Sequence, residues 1–400
     1  MAMHQTPAGD RTHIGFFGRR NAGKSSVMNA VTGQAISVVS DTKGTTTDPV
    51  YKTMELLPLG PVMLIDTPGL DDEGELGEMR VKAAMRALNK CDAAVLVVDA
   101  TEGMTQFEQD FIALLKEKQI QHVIAYNKIE EANEIPIPDG AISVSAKTGE
   151  GIDVLKETLA KELVQGKKQK PIAQDLIAPY DSVVLVTPID EAAPKGRLIL
   201  PQQQTIRDLL DKNALITVVR ETELQKALEA LCTPPNLVIT DSQAFHQVAA
   251  IVPEEIPLTS FSILMARYKG YLQEAVKGVK AIESLRDGDT VLIAEGCTHH
   301  RQCNDIGTVK IPNWLKKHTG KDIKIQTVSG AEFPDDLTKF SVIIHCGGCM
   351  LNEREVRYRM KCAKDAGVPM TNYGVVIAYM QGILKRSTDM LPEVAGLLDL

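Results

Sequence analysis

Residues 14–26 read Ile-Gly-Phe-Phe-Gly-Arg-Arg-Asn-Ala-Gly-Lys-Ser-Ser. A short apolar strand runs into a glycine-rich turn, and the Val-Met-Asn-Ala-Val that follows reads as a helix. Within it, Gly18 to Ser25 is GxxxxGKS, a phosphate-binding loop in its proper strand–loop–helix setting. The glycines let backbone N–H groups of Ala22, Gly23 and Ser26 face phosphate, Lys24 brings a cation to the β/γ-phosphates, and Ser25 offers a hydroxyl to Mg²⁺. The stretch therefore predicts an α/β nucleotide-binding domain.

Working outward, apolar runs of strand length recur at 62–69, 93–100 and 122–128, separated by helical stretches at 78–90, 106–118 and 151–163. Strands alternating with helices predict βαβ units and a mostly parallel sheet. The composition agrees: 44% apolar and 24% charged residues exclude a disordered or fibrous chain, and only 4% aromatics leaves an aliphatic core. Net charge is −8 overall, and −8, −3 and +3 over residues 1–166, 167–262 and 263–400. No part is basic enough to suggest nucleic acid as a partner. Neither an 18-residue apolar run nor a signal-peptide core is present, so a cytoplasmic chain without a membrane partner is expected. Seven cysteines suit free thiols or metal ligands better than a disulfide framework.

More motifs follow in order. Asp66-Thr-Pro-Gly69 ends a strand as DxxG does in GTPases, where the Asp holds Mg²⁺ through water and the Gly N–H meets the γ-phosphate. Gly44-Thr45-Thr46-Thr47-Asp48 lies where the first switch belongs. Asn127-Lys128-Ile129-Glu130 resembles the guanine-reading NKxD, and Ser145-Ala146-Lys147 the last guanine motif. Lys24, Thr46, Asp66 and Gly69 are thus the catalytic candidates. Two departures stand out. Glu130 replaces the aspartate that accepts two hydrogen bonds from guanine, and Leu70 occupies the place of a water-orienting Gln, so hydrolysis by that route should be slow. Asn21 and the GTTTD run resemble the potassium-activated GTPases, a resemblance that implies Asn21 on K⁺ and Thr46 on Mg²⁺. The Arg19–Arg20 pair receives no role.

Beyond a basic linker at 166–171, a second α/β stretch has strands at 182–189, 214–220 and 236–241 and a helix at 222–232, with no catalytic constellation. A long helix is expected over 263–285. Strands at 289–297 and 339–349 then run into Cys297-Thr-His299 and His345-Cys346-Gly-Gly-Cys349, and a helix covers 356–367. Residues 374–384 are apolar and ambiguous, and no clear internal repeat is seen. Strand carboxyl ends are where α/β sheets bind ligands. Three thiolates with up to two imidazoles fit a tetrahedral zinc site and an iron–sulfur cluster about equally. Cys91 and Cys232 read as packing residues.

A GTPase domain followed by CTH and, 45 residues later, HCGGC closely resembles the [FeFe]-hydrogenase maturation GTPases, the HydF family. The resemblance implies three domains: a P-loop GTPase domain (1–166), a middle α/β dimerisation domain (172–262) and a C-terminal α/β cluster domain (263–400). It implies a homodimer with GTP/GDP, Mg²⁺ and K⁺ in the first domain, and a [4Fe–4S] cluster on Cys297, Cys346 and Cys349. His299 and His345 become candidates for a fourth ligand or a supporting donor. It further implies a diiron H-cluster precursor as cargo, made by two radical-SAM maturases and delivered to apo-[FeFe]-hydrogenase. The rival reading is an RNA-linked GTPase of tRNA modification or ribosome assembly with a zinc-bearing C-terminal domain.

Overall fold

The computed structural model describes residues 6–33, 49–70, 74–132, 137–166, 170–189, 198–296, 305–330, 333–394 and 396–397. The chain divides into two compact units, 1–168 and 169–400. Among the described residues no helix is long and apolar enough to cross a membrane.

The first unit runs β1 (Thr12–Phe17), α1 (Lys24–Thr32), β2 (Val50–Leu56), β3 (Gly60–Asp66), α2 (Gly74–Leu88), β4 (Ala93–Asp99), α3 (Gln106–Glu117), β5 (Gln121–Asn127), β6 (Ile142–Ser143) and α4 (Ile152–Gly166). Its six strands lie in the order β2-β3-β1-β4-β5-β6. Only the β2–β3 pair is antiparallel, a hairpin outside the expected βαβ alternation. Strands β1 and β4 are buried along their whole length, as central strands covered by helices on both faces must be. A capping box starts α3: the Thr105 side chain takes the N3 backbone N–H, and Glu108 returns to the Thr105 backbone N–H at 2.9 Å.

The second unit runs β7 (Ser182–Val186), α5 (Leu200–Asp211), β8 (Leu215–Val219), α6 (Leu224–Ala230), β9 (Leu237–Thr240), α7 (Phe245–Ile251), β10 (Leu258–Ser260), α8 (Phe261–Tyr268) and α9 (Leu272–Val279). It continues with β11 (Thr290–Ala294), α10 (Ile311–Thr319), β12 (Lys324–Val328), β13 (Val342–His345), α11 (Glu353–Asp365), β14 (Met370–Asn372), α12 (Tyr373–Met380) and α13 (Leu384–Thr388). The helix expected over 263–285 is broken. Gly270, at φ +76°, ends α8 in the left-handed region, and the chain restarts as α9. The ambiguous stretch at 374–384 is mostly α12, buried on nearly all sides.

The two sheets of this unit have one topology, β10-β9-β7-β8 and β14-β13-β11-β12. Their registers match strand for strand: Val186 pairs with Thr240 and Val219 as Ala294 pairs with His345 and Val328. Thr240 pairs with Ser260 as His345 pairs with Asn372. Sequence follows structure in Ile256-Pro-Leu-Thr-Ser-Phe261 against Val368-Pro-Met-Thr-Asn-Tyr373, with Ala266 and Gly270 matching Ala378 and Gly382. Ser260 and Asn372 both cap the following helix. Thr259 and Thr371 both bury a hydroxyl that has no partner among the described residues. The second unit is an internal duplication, correcting the sequence reading that found no repeat.

The halves meet about a pseudo-twofold axis. The matched residues Ser262 and Gly374 touch there, the Gly374 N–H donating to Ser262 Oγ at 3.1 Å. Around the axis the packing is reciprocal: α9 of the first half packs on β14 of the second, and α13 of the second packs on β10 of the first. One apolar core runs through both.

Candidate functional site

The phosphate loop is built by close approach. Gly18 sits at φ +144°, and a Cβ there would lie 2.3 Å from the Val97 carbonyl oxygen. A Cβ on Gly23 would lie 2.2 Å from Asn127 Nδ2. Asn21 holds a left-handed φ of +61° at the crown of the loop. The Lys24 ammonium, almost fully buried, turns back into the loop and donates to the carbonyls of Gly18 (3.1 Å) and Arg19 (2.8 Å). Ser25 donates to Asp66 Oδ2. Asp66 Oδ1 is buried with no hydrogen-bond partner among the described residues. Burial raises the Asp66 carboxyl above its ordinary range, against the lowering pull of Ser25 and Lys24. A hydroxyl and a half-orphaned carboxylate side by side fit the oxygen-ligand needs of Mg²⁺.

Asn127 ties the loops together. Its Nδ2 donates to the Ala22 carbonyl at 3.0 Å, and its Oδ1 accepts from the Ala146 N–H at 3.0 Å. Lys128 pairs with Asp99 at 2.5 Å. Burial raises the Asp99 carboxyl, but Lys128 and Thr101 outweigh it and hold the group below the usual range. Glu130 is exposed at the mouth, and the Ser145 hydroxyl draws its carboxyl below the ordinary value. Between these walls is a cleft of ≈ 540 Å³ lined by Asn21, Gly23–Ser26, Asn127, Lys128, Glu130, Glu131, Ala146 and Lys147. That volume suits a nucleotide. Glu131, 3.8 Å from Lys147, carried no motif signal. Gly69 is buried at the end of the DxxG turn, and Leu70 packs into the core, away from any role in orienting water. Gly44, Thr45, Thr46, Thr47 and Asp48 lie outside the described residues.

Arg19 proves to be structural. Its Nε donates to Glu108, fully buried, at 2.7 Å, and Nη1 lies 2.9 Å from Glu102. The phosphate loop is thus latched to the capping box of α3. No sequence motif could show this, because the partner lies 89 positions away.

In the second unit β11 and β13 are parallel neighbours whose carboxyl ends meet. Cys346 Sγ accepts from the N–H of Gly296 at 3.0 Å and of Gly348 at 3.4 Å. Gly348, at φ +65°, makes the turn that carries the chain to Cys349. Burial pushes the Cys346 thiol up to about 11, with the two N–H groups pulling the other way. Backbone N–H groups aimed at sulfur fit a thiolate ligand, whose charge they stabilise. Cys297 and His299 lie outside the described residues, as does Cys303. Among the described residues no group of three metal-ligating side chains gathers.

His345 is fully buried, with Nδ1 2.7 Å from the Cys346 carbonyl and Nε2 3.4 Å from Arg359. Burial, and then the neighbouring guanidinium, push its pKa down to about 3, so the ring is neutral. Cys91 is buried as expected, but Cys232 is exposed: it follows the short helix α6 at the surface and does not pack.

Fold and loop geometry define a P-loop GTPase domain followed by a duplicated α/β unit. Comparison with known families agrees. A 50S ribosome-binding GTPase family matches residues 13–128, the Hydrogen maturase F dimerization domain residues 172–270, and the Hydrogen maturase F tetramerization domain residues 273–390. The chain belongs to the HydF family of hydrogenase maturation GTPases. Among curated relatives, the tRNA modification GTPase MnmE of Chromobacterium violaceum is 35% identical over 153 residues, covering 37% of this chain and 34% of its own. MnmE of Hyphomonas neptunium is 34% identical over 164 residues, covering 40% and 35%. The chain thus spans about a third of the length of these relatives. Among solved structures, Aquifex aeolicus Era bound to GDP and aluminium fluoride aligns with a TM-score of 0.34 and 20% identity, covering 54% of this chain and 97% of that one.

Proposed function

We propose that this chain is a GTP-switched scaffold that assembles an iron–sulfur site and hands a diiron cargo to apo-[FeFe]-hydrogenase. The work is divided among residues 1–166 (GTPase), 172–262 (self-association) and 263–400 (cluster). The observation that carries the reading is the pair of N–H groups from Gly296 and Gly348 converging on Cys346 Sγ, in a chain of the HydF family.

In the GTPase domain, Lys24 leaves the Gly18 and Arg19 carbonyls to neutralise the β/γ-phosphates. Ser25 and Asp66 would hold Mg²⁺, with Thr46 joining them from the first switch. Asn21, at the crown of the loop, would hold K⁺. Asn127, Lys128 and Glu130 take the base together with Ser145–Lys147. Leu70 is turned into the core and cannot orient water. The phosphate-facing N–H groups stabilise charge on the phosphate oxygens, bound Mg²⁺ and K⁺ would add to that charge stabilisation, and turnover is slow.

At the other end, Cys297, Cys346 and Cys349 would hold the [4Fe–4S] cluster, which supplies an iron position for exchangeable ligation of the cargo. The diiron precursor comes from two radical-SAM maturases. Self-association is supported by the edge strand β8, whose Leu215 and Val218 are 58% and 44% exposed. Its outer edge pairs with no strand among the described residues, and such an edge is a template for pairing with a second copy. The likeness to tRNA modification GTPases covers 37–40% of this chain, so it gives no support to an RNA-linked role for the rest.

Anaerobic reconstitution with iron and sulfide, followed by EPR of the reduced protein, tests the reading. About four irons and four sulfides per chain with a [4Fe–4S]⁺ signal are expected. Stoichiometric zinc without sulfide would overturn it. Lys24→Ala should abolish GTP hydrolysis and leave that signal unchanged; loss of both together would contradict separate sites.

A further inference from the structure

We infer that His345 is a positioning residue that orients the backbone of the HCGGC turn, with Arg359 occupying its second nitrogen, and is not a ligand of the cluster. The inference rests on the cluster reading above and concerns how the turn is held.

The first support is hydrogen-bond logic. A guanidinium can only donate, so His345 Nε2, facing Arg359 at 3.4 Å, must accept. With no proton on Nε2, the ring's proton is on Nδ1, where it is donated to the Cys346 carbonyl at 2.7 Å. Both contacts require the same tautomer, and together they use both nitrogens. Arg359 cannot readily move away. It is completely buried, donates to Glu355 at 3.0 Å and to the Gly330 carbonyl at 2.7 Å, and lies 5.2 Å from the centre of the Phe333 ring. Freeing Nε2 for iron would strand a buried guanidinium N–H.

The second support comes from the duplicated half. Thr240 ends β9 where His345 ends β13, with the same partners in register. Its hydroxyl donates to the carbonyl of the next residue, Asp241, at 3.3 Å. The turn after Thr240 reads Asp-Ser-Gln and carries no cysteine. The same side-chain-to-backbone bond therefore exists at a turn with thiols and at a turn without them. What is common to both is holding the strand's exit. In the cluster half the Cys346 carbonyl also accepts from the Tyr271 hydroxyl at 3.3 Å, so two donors fix the peptide whose sulfur is offered. An imidazole in place of a hydroxyl brings a second nitrogen that must be satisfied in a buried site, and Arg359 satisfies it.

The test uses the full-length chain, reconstituted anaerobically with ¹⁵N-histidine and examined by pulsed EPR. His345→Thr/Arg359→Met installs the residue of the sister half and removes the stranded charge. Wild type and this variant should show the same nitrogen couplings, leaving any directly bound imidazole to His299. A strongly coupled nitrogen present in wild type and missing from the variant would overturn the inference. A second pair isolates the backbone bond. In the Arg359→Met background, His345→Thr should hold at least twice the iron and sulfide of His345→Val, which has the same shape and no hydroxyl. Equal loading with identical spectra would also sink it. Failure of the wild type to take up sulfide at all would instead defeat the cluster reading itself.

Discussion

The two halves of the second unit share strand order, register and helix caps, yet differ where their strands end. At matched places the first half has Thr187, Thr240, Asp241 and Phe261; the second has Glu295, His345, Cys346 and Tyr373. In the first half Asp241 caps a single helical turn, accepting from the Gln243 N–H at 3.2 Å. In the second Tyr373 donates to the buried Glu295 at 3.1 Å, and Cys346 collects backbone N–H groups. One frame thus supports a plain turn and a thiol site, so the frame fixes where a ligand can sit and the strand-end side chains decide what it is.

The sharpest way to break this contrast is to change both strand ends. Cys346→Ser should remove nearly all cluster iron and the EPR signal. Asp241→Ser, at the sister position, should leave iron content unchanged, with the partly conserved cap limiting the stability loss to about 1 kcal/mol. Equal iron loss from both would mean that the turns are not functionally distinct.

The axis between the halves gives a smaller effect. A Cβ on Gly374 would lie 2.8 Å from Ser262 Cβ and 3.0 Å from the Ile263 N. Only one of the two matched positions can carry a side chain. Gly374→Ser should cost ~1–3 kcal/mol by overpacking, seen in denaturant unfolding. Adding Ser262→Gly, which exchanges the two residues, should recover most of it. Independent, additive losses would contradict the pseudo-twofold account.

The smallest effect separates two matched polar links. Arg267 holds Asp175 through a pair of hydrogen bonds, whereas its counterpart Tyr379 meets Glu283. Asp175→Asn should cost ~1 kcal/mol at pH 7, and Glu283→Gln less, since both acids are partly solvated. The Arg267 guanidinium holds the Asp175 carboxyl below its ordinary range. Its contribution is therefore full above the unfolded value of about 3.9 and is lost as pH falls through the lower folded value. The stability gap between wild type and Asp175→Asn should close below about pH 4. A gap that widened there would reverse the assignment.

The nucleotide cleft was legible because its chemistry is local: Gly18–Ser25, Asp66 and Asn127–Glu130 announce themselves within a few residues. The α/β class was legible from strand–helix alternation. The duplication was hidden for a physical reason. Loop lengths differ, so matched residues drift from 105 apart (Leu237 to Val342) to 112 apart (Leu258 to Met370), and few identities survive. The break at Gly270 was hidden by apolar periodicity that runs through both α8 and α9. The Arg19–Glu108 latch and the Arg359–His345 contact depend on tertiary neighbours that no short window contains.

The reciprocal packing of the halves also governs how the chain can fold during synthesis. Strand β10 is complete at Ser260, but the helix that covers it, α13, begins at Leu384. Until the ribosome has passed that point, the first half exposes apolar surface that α13 later covers. Such long-range closure is slow and leaves nascent chains open to aggregation. Helix α13 is therefore a completion signal: a polypeptide truncated before it would present an unfinished core to chaperones and proteases rather than a smaller working protein.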